Sequence, residues 1–178
     1  MGRSGSLEMS VLETERRRIA GGELVDFFRE IHRRHEEEKI TFLCIGTDRS
    51  TGDALGPLVG SRLEEHGFAH VVGTLEYPCD ADNLEQRLAA IPADHIIIAI
   101  DASLGASTSV GNYLVSAQPL FPAQSVGHSL PAAGHYSVAG VVNVKGPKPY
   151  WTLQMTSLYK VMQMAEEITA AILMAFKS

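Results

Sequence analysis

Apolar residues along the chain keep two rhythms. Over residues 11–38, Leu12, Ile19, Leu24, Phe27, Phe28 and Ile31 recur at helical spacing among charged neighbours, which predicts a helical N-terminal segment, broken at Gly21-Gly22. Short apolar runs follow at residues 40–46 (ITFLCIG), 70–75 (HVVGTL), 95–100 (HIIIAI) and 112–116 (NYLVS), and these read as strands. The run at 95–100 is unbroken, as suits a strand covered on both faces. A short fifth strand is expected at residues 150–153. Helices fit between the runs, at residues 57–66 with Pro57 in the first turn and Gly67 as a stop, and at residues 80–90 with Asp80 or Asp82 as N-cap. Residues 125–144 are expected to begin as strand or loop and become a helix of small residues. The last helix is the clearest: Leu158, Val161, Met162, Ala165, Ile168, Ile172, Leu173 and Phe176 share one face, a core stripe.

Strand and helix in alternation predict an α/β fold of three layers, α/β/α, around a mostly parallel sheet of about five strands. Residues 11–178 are expected to form one domain, and the Gly/Ser-rich residues 1–10 a disordered tail without the apolar core of a signal peptide. No stretch approaches the ~20 apolar residues that cross a bilayer. The formal net charge of −6 disfavours a direct nucleic-acid partner, because phosphate contacts need a basic face. It leaves room for a protein or peptide substrate. The runs Arg16-Arg17-Arg18 and Arg33-Arg34 read as solvated faces. The chain holds two cysteines, Cys44 and Cys79, which form no CxxC pair and read as buried structural thiols. A reducing, cytoplasmic compartment follows.

In an open α/β sheet, ligands bind beyond the carboxyl ends of the strands, where strand order reverses. After the first run come small and polar residues from Gly46 through Arg49, Ser50, Thr51 and Gly52 to Asp53; after the third come Asp101, Ala102 and Ser103. If those two strands are neighbours, ~4.8 Å apart, Asp53 and Asp101 can converge. Two close acids cannot both ionise cheaply, so they share a proton: one activates water and the other protonates the leaving group. The same pair could hold a divalent metal if an imidazole joined it, with His128 or His135 best placed. Against this stand plainer roles, Asp53 as an N-cap and Asp101 as a strand-end acid bonded to backbone amides. The glycines suggest a nucleotide loop, but GxxxxGK[ST] and GxGxxG are both absent, and an acid at a helix entrance repels phosphate. No GxSxG elbow accompanies Ser103, Ser107 and Ser109, so a serine hydrolase is disfavoured.

The segment CIGTDRSTGDALGPLVG, followed by IIIAIDASLG, resembles the YyaC-type sporulation proteins, relatives of the spore germination protease, and more distantly the hydrogenase maturation proteases. The resemblance runs from about Ile40 to the end. It implies a phosphorylase/hydrolase-like fold and, by analogy with the germination protease, a pair of catalytic aspartates at Asp53 and Asp101. It implies small acid-soluble spore proteins as substrates and the forespore or spore core as the place of action. The maturation proteases would instead make Asp53, Asp101 and His128 metal ligands. The chain departs from both: it is much shorter than the germination protease, and Thr47 stands where the maturation proteases carry asparagine. Three expectations result: an aspartate-pair endopeptidase with Arg49, Ser50, Thr51, Ser103, His128 and His135 as supporting contacts, a metal-dependent maturation protease, or a sporulation factor that kept the fold without turnover.

Overall fold

A computed structural model describes residues 15–122 and 130–177. The expected tail and His128 lie outside those residues. Among the described residues, six strands form one sheet in the order β1-β5-β6-β4-β2-β3. They are β1 (Arg17–Ile19), β2 (Ile40–Cys44), β3 (Val71–Val72), β4 (Ile96–Gly105), β5 (Tyr113–Ser116) and β6 (Tyr136–Val144). The three pairings β6–β4, β4–β2 and β2–β3 are parallel, and β1–β5 and β5–β6 are antiparallel. The mostly parallel α/β expectation holds, with one more strand than the pattern gave.

Helices α1 (Leu24–Arg34), α2 (Leu55–Glu65) and α5 (Leu158–Phe176) cover one face of the sheet. Phe27, Phe28 and Ile31 of α1 meet Val161, Ala165, Ile168 and Ile172 of α5 over Phe42, Ile98 and Ile100. The short α3 (Leu84–Ala89) lies over the other face, where Leu84 joins Leu43, Ala99, Leu120 and Ala139. β4 is central, so the run read as covered on both faces is so covered. On α5 the stripe shifts slightly: Met164 is buried, whereas Leu158 and Met162 are exposed.

Four local expectations are corrected. Residues 15–20 are not helical: residues 17–19 form an antiparallel edge strand on β5, with Ile19 inward and arginines along the rim. A charged edge discourages pairing with other chains, so the arginine run suits a strand as well as a helix. Residues 136–144 are a strand, not a helix. Their small residues suggested helix, but Val138, Val141 and Val142 are β-branched and buried in the sheet. Residues 150–153 belong to α4 (Pro149–Gln154), where Pro149 occupies the first turn that tolerates its missing N–H. Finally, α3 starts later than expected, with Asn83 rather than Asp80 or Asp82 before its first turn.

Candidate functional site

β2 and β4 run side by side up to Cys44 and Ile100, and the bridge from the Ile45 amide to the Ile100 carbonyl closes their ladder. There they part. β4 continues on β6 through Asp101, Ala102 and Ser103, while the chain after β2 turns away into the loop that feeds α2. β2 connects outward to β3, and β4 connects to the opposite half of the sheet. A crevice therefore opens between them at the switch in strand order.

The loop is held by close backbone packing. Gly46 has φ 147°, and a Cβ there would collide with the Asp53 carbonyl. The Thr47 amide donates to that same carbonyl at 3.0 Å, which closes the loop on itself. Residues Gly52–Ala54 make one tight helical turn that runs directly into α2. Gly56 lies on the Ile45 backbone and Gly60 on the Gly73 carbonyl, each too close for a side chain. The glycines of this segment thus serve helix-to-strand contact, with no phosphate cradle.

Asp53 projects from that turn into a cleft of about 420 Å³, and Asp101 reaches the same cleft from β4. Asp101 is 8% exposed. Burial, then the charge of Asp53, pushes its carboxyl well above the usual range, although its Oδ1 accepts the Ala102 amide at 2.8 Å. Burial also raises Asp53, opposed by the nearby Ser50 hydroxyl. That hydroxyl is buried close to Asp53 but makes no hydrogen bond of good geometry. The Ser103 hydroxyl, two residues beyond Asp101, is likewise buried and unpartnered. The pair is therefore asymmetric: both carboxyls are raised by burial, and Asp101, the deeper one, is raised further by the charge of Asp53.

Of the plainer roles, the backbone bond of Asp101 is present and the N-cap of Asp53 is not. α2 has no side-chain N-cap, so Asp53 does not cap it. Asp101 lies within β4 rather than at its end, and its single amide bond leaves one carboxyl oxygen over. Arg49 and Ser103 line the cleft; Thr51 sits in the turn and does not. His135 is not part of the site. It lies exposed just before β6, and its Nδ1 accepts the Ile97 amide at 2.9 Å. Ile97 precedes Asp101 by four strand residues, about 13 Å. Among the described residues no three His, Cys, Asp or Glu side chains gather as a metal set. With His128 outside the described residues, Asp53 and Asp101 supply two of the three protein ligands a catalytic zinc needs.

Sequence reading missed several residues that line the cleft. Arg16, Lys145, Tyr150 and Leu153 line the cleft with Leu114, Leu120 and Phe121. Arg16 is exposed, as a solvated face requires, and also lines the cleft. Only tertiary folding brings these residues to Asp53; Pro149 before Tyr150 was the one local signal, since it marks a helix start there. Both thiols are buried, and burial holds Cys79 up at about 11, despite Arg87 nearby, and Cys44 higher.

Residues 15–171 match the family described as "Protein of unknown function (DUF1256)". The chain is 44% identical over 131 residues to the uncharacterized protein YyaC of Bacillus subtilis (strain 168), an alignment covering 71% of this chain and 64% of that protein. The expected resemblance to YyaC-type proteins holds. Among solved structures, the chain is similar to the [NiFe] hydrogenase maturation protease HybD from Thermococcus kodakarensis, with TM-score 0.49, 15% identity, and coverage of 78% of this chain and 97% of that one. It is also similar to the [NiFe] hydrogenase maturation protease HycI from Thermococcus kodakarensis KOD1, with TM-score 0.46, 19% identity, and coverage of 75% and 92%. Neither likeness bears on the site. Among the described residues, no helix is long and apolar enough to cross a membrane.

Proposed function

The chain belongs to the DUF1256 family, and on that footing we propose that it is an endopeptidase in which Asp53 and Asp101 act as an acid–base pair on a protein substrate. The observation that carries this reading is electrostatic. Two acids from separate elements share one cleft, and the charge of Asp53 raises Asp101. Sharing one proton between such carboxyls suits them to opposite tasks.

In the proposed reaction, ionised Asp53 takes a proton from water as the water oxygen attacks the scissile carbonyl carbon. Protonated Asp101 donates to the carbonyl oxygen, giving a tetrahedral diol. Collapse of the diol breaks the C–N bond; the leaving nitrogen takes the proton from Asp53, and Asp101 recovers its own from the diol. The Ser50 hydroxyl favours the ionised form of Asp53. Arg49 offers a polar contact to an extended peptide, while Leu114, Leu120 and Phe121 receive apolar side chains.

The resemblance to the spore germination protease supplies a substrate class, small acid-soluble spore proteins, and a setting, the forespore or spore core. The test is incubation of the purified protein with those spore proteins, with and without a chelator, read by mass spectrometry. Discrete fragments that disappear with Asp53→Asn or Asp101→Asn support the pair. Undiminished cleavage by either variant refutes it, and cleavage abolished by the chelator replaces the water mechanism with a metal-dependent one.

A further inference from the structure

Beside the cleft lies a surface that the peptidase reading leaves unused. On α4 and the first turns of α5, Trp151, Met155, Leu158 and Tyr159 are between 56% and 72% exposed, flanked by Tyr150 and Met162. So many large apolar side chains within four turns of helix exceed the scattered exposure usual for a surface. Tyr150 also lines the cleft, so the patch is continuous with the proposed active site.

Along residues 102–165, which carry the patch, the charge is one-sided, while Asp53, Asp80, Asp82 and Asp101 line the adjoining cleft. Lys145, Lys148 and Lys160 border it, and among the described residues none of them makes an ion pair. No acidic residue occurs in the sequence between Asp101 and Glu166, although acids outnumber bases in the chain by 21 to 15. An apolar strip with a cationic border, on an otherwise acidic chain, complements an apolar segment carrying carboxylates.

We infer that the α4–α5 surface is a docking site for an acidic amphipathic segment of the substrate protein, held beside the cleft while another stretch of the same substrate reaches Asp53 and Asp101. The occupant's identity as substrate rests on the peptidase reading; the docking does not. Apolar side chains of the segment would pack on Trp151, Leu158 and Tyr159, with its carboxylates facing Lys148 and Lys160. Such a site adds local concentration to a shallow encounter at the cleft.

Trp151 is the only tryptophan, so its emission reports the patch directly. The experiment titrates Asp53→Asn protein with an amphipathic peptide of leucine and glutamate, about three helical turns long, and with its lysine-for-glutamate counterpart. The glutamate peptide should blue-shift Trp151 emission, bind at least tenfold tighter than the lysine peptide, and weaken as salt rises. The double variant Lys148→Glu/Lys160→Glu should reverse that preference. Equal binding of the two peptides, or binding of neither, overturns the inference. So does a concentration-dependent dimer in sedimentation that Trp151→Ser dissociates, since a second copy would then be the occupant. Because Asp53→Asn needs no turnover, a failed dock with intact cleavage by the wild-type chain removes only this inference. A successful dock without cleavage removes only the peptidase.

Discussion

Asp101 carries a cost that its neighbours explain. Burial and the charge of Asp53 raise its carboxyl, so the folded chain keeps that proton to higher pH than the unfolded chain does. Where the native state binds more protons, stability falls as pH rises, here from the unfolded value of ~3.9 up through the raised native one. Asp101→Asn removes the ionisation while keeping an oxygen for the Ala102 amide. Its melting temperature should match the wild type near pH 4 and exceed it by about 2–4 °C at pH 8. A constant offset at every pH, measured by calorimetry, would contradict the burial argument. The same two carboxyls set the proposed activity. Rate should rise as Asp53 ionises and decline once pH passes the raised value of Asp101, giving a bell that Asp101→Asn abolishes along with turnover. Ser103 makes a milder case. Its hydroxyl is buried without a partner, so Ser103→Ala should leave stability unchanged or raise it by up to about 1 kcal/mol in denaturant titration.

At the scale of elements, α2 is the part that aims Asp53. Besides the side-chain packing of Leu55, Val59 and Leu63 in the core, it meets the chain just past β2 at Gly56, where backbone contact with Ile45 fixes the separation. A methyl group at Gly56 has to displace the Ile45 backbone, which is less yielding than a flexible side chain. Gly56→Ala should therefore cost about 1–3 kcal/mol and move Asp53 away from Asp101, lowering activity more than stability. Retention of full stability and rate would show that α2 has slack which the packing denies. The motif GDALGPLVG pointed to this turn from the sequence, because glycines four apart line one side of a helix. Strand β6 was not legible in the same way. Its run of alanine, glycine and valine satisfies a small-residue helix as readily as a strand, and only its place between β4 and β5 settles the matter.

For the whole molecule, the two thiols report on opposite sides of one sheet. Cys44 packs in the core beneath α1, α2 and α5, and Cys79 in the core on the α3 side. Both are fully buried, and burial raises both. Neither should react with a thiol reagent in the native state on the timescale of minutes, and both should react at once in denaturant. Labelling at equal, slow rates would mean that the layers open together. Fast native labelling of Cys79 alone would mean that the thin α3 layer opens locally.

The sequence by itself determined the alternation of strand and helix, the α5 core stripe and the placing of two acids just after the strands of a parallel sheet. Each of these rests on local periodicity or on the rule that places ligands where parallel strands part. Tertiary structure alone decided that β2 and β4 are neighbours, that Asp101 lies inside a strand, that His135 is bonded at the far end of it, and that Arg16, Lys145 and Tyr150 line the same cleft as Asp53. Those facts depend on which distant segments pack together. A residue's own neighbours in the chain carry almost no information about that, because burial and charge act through space.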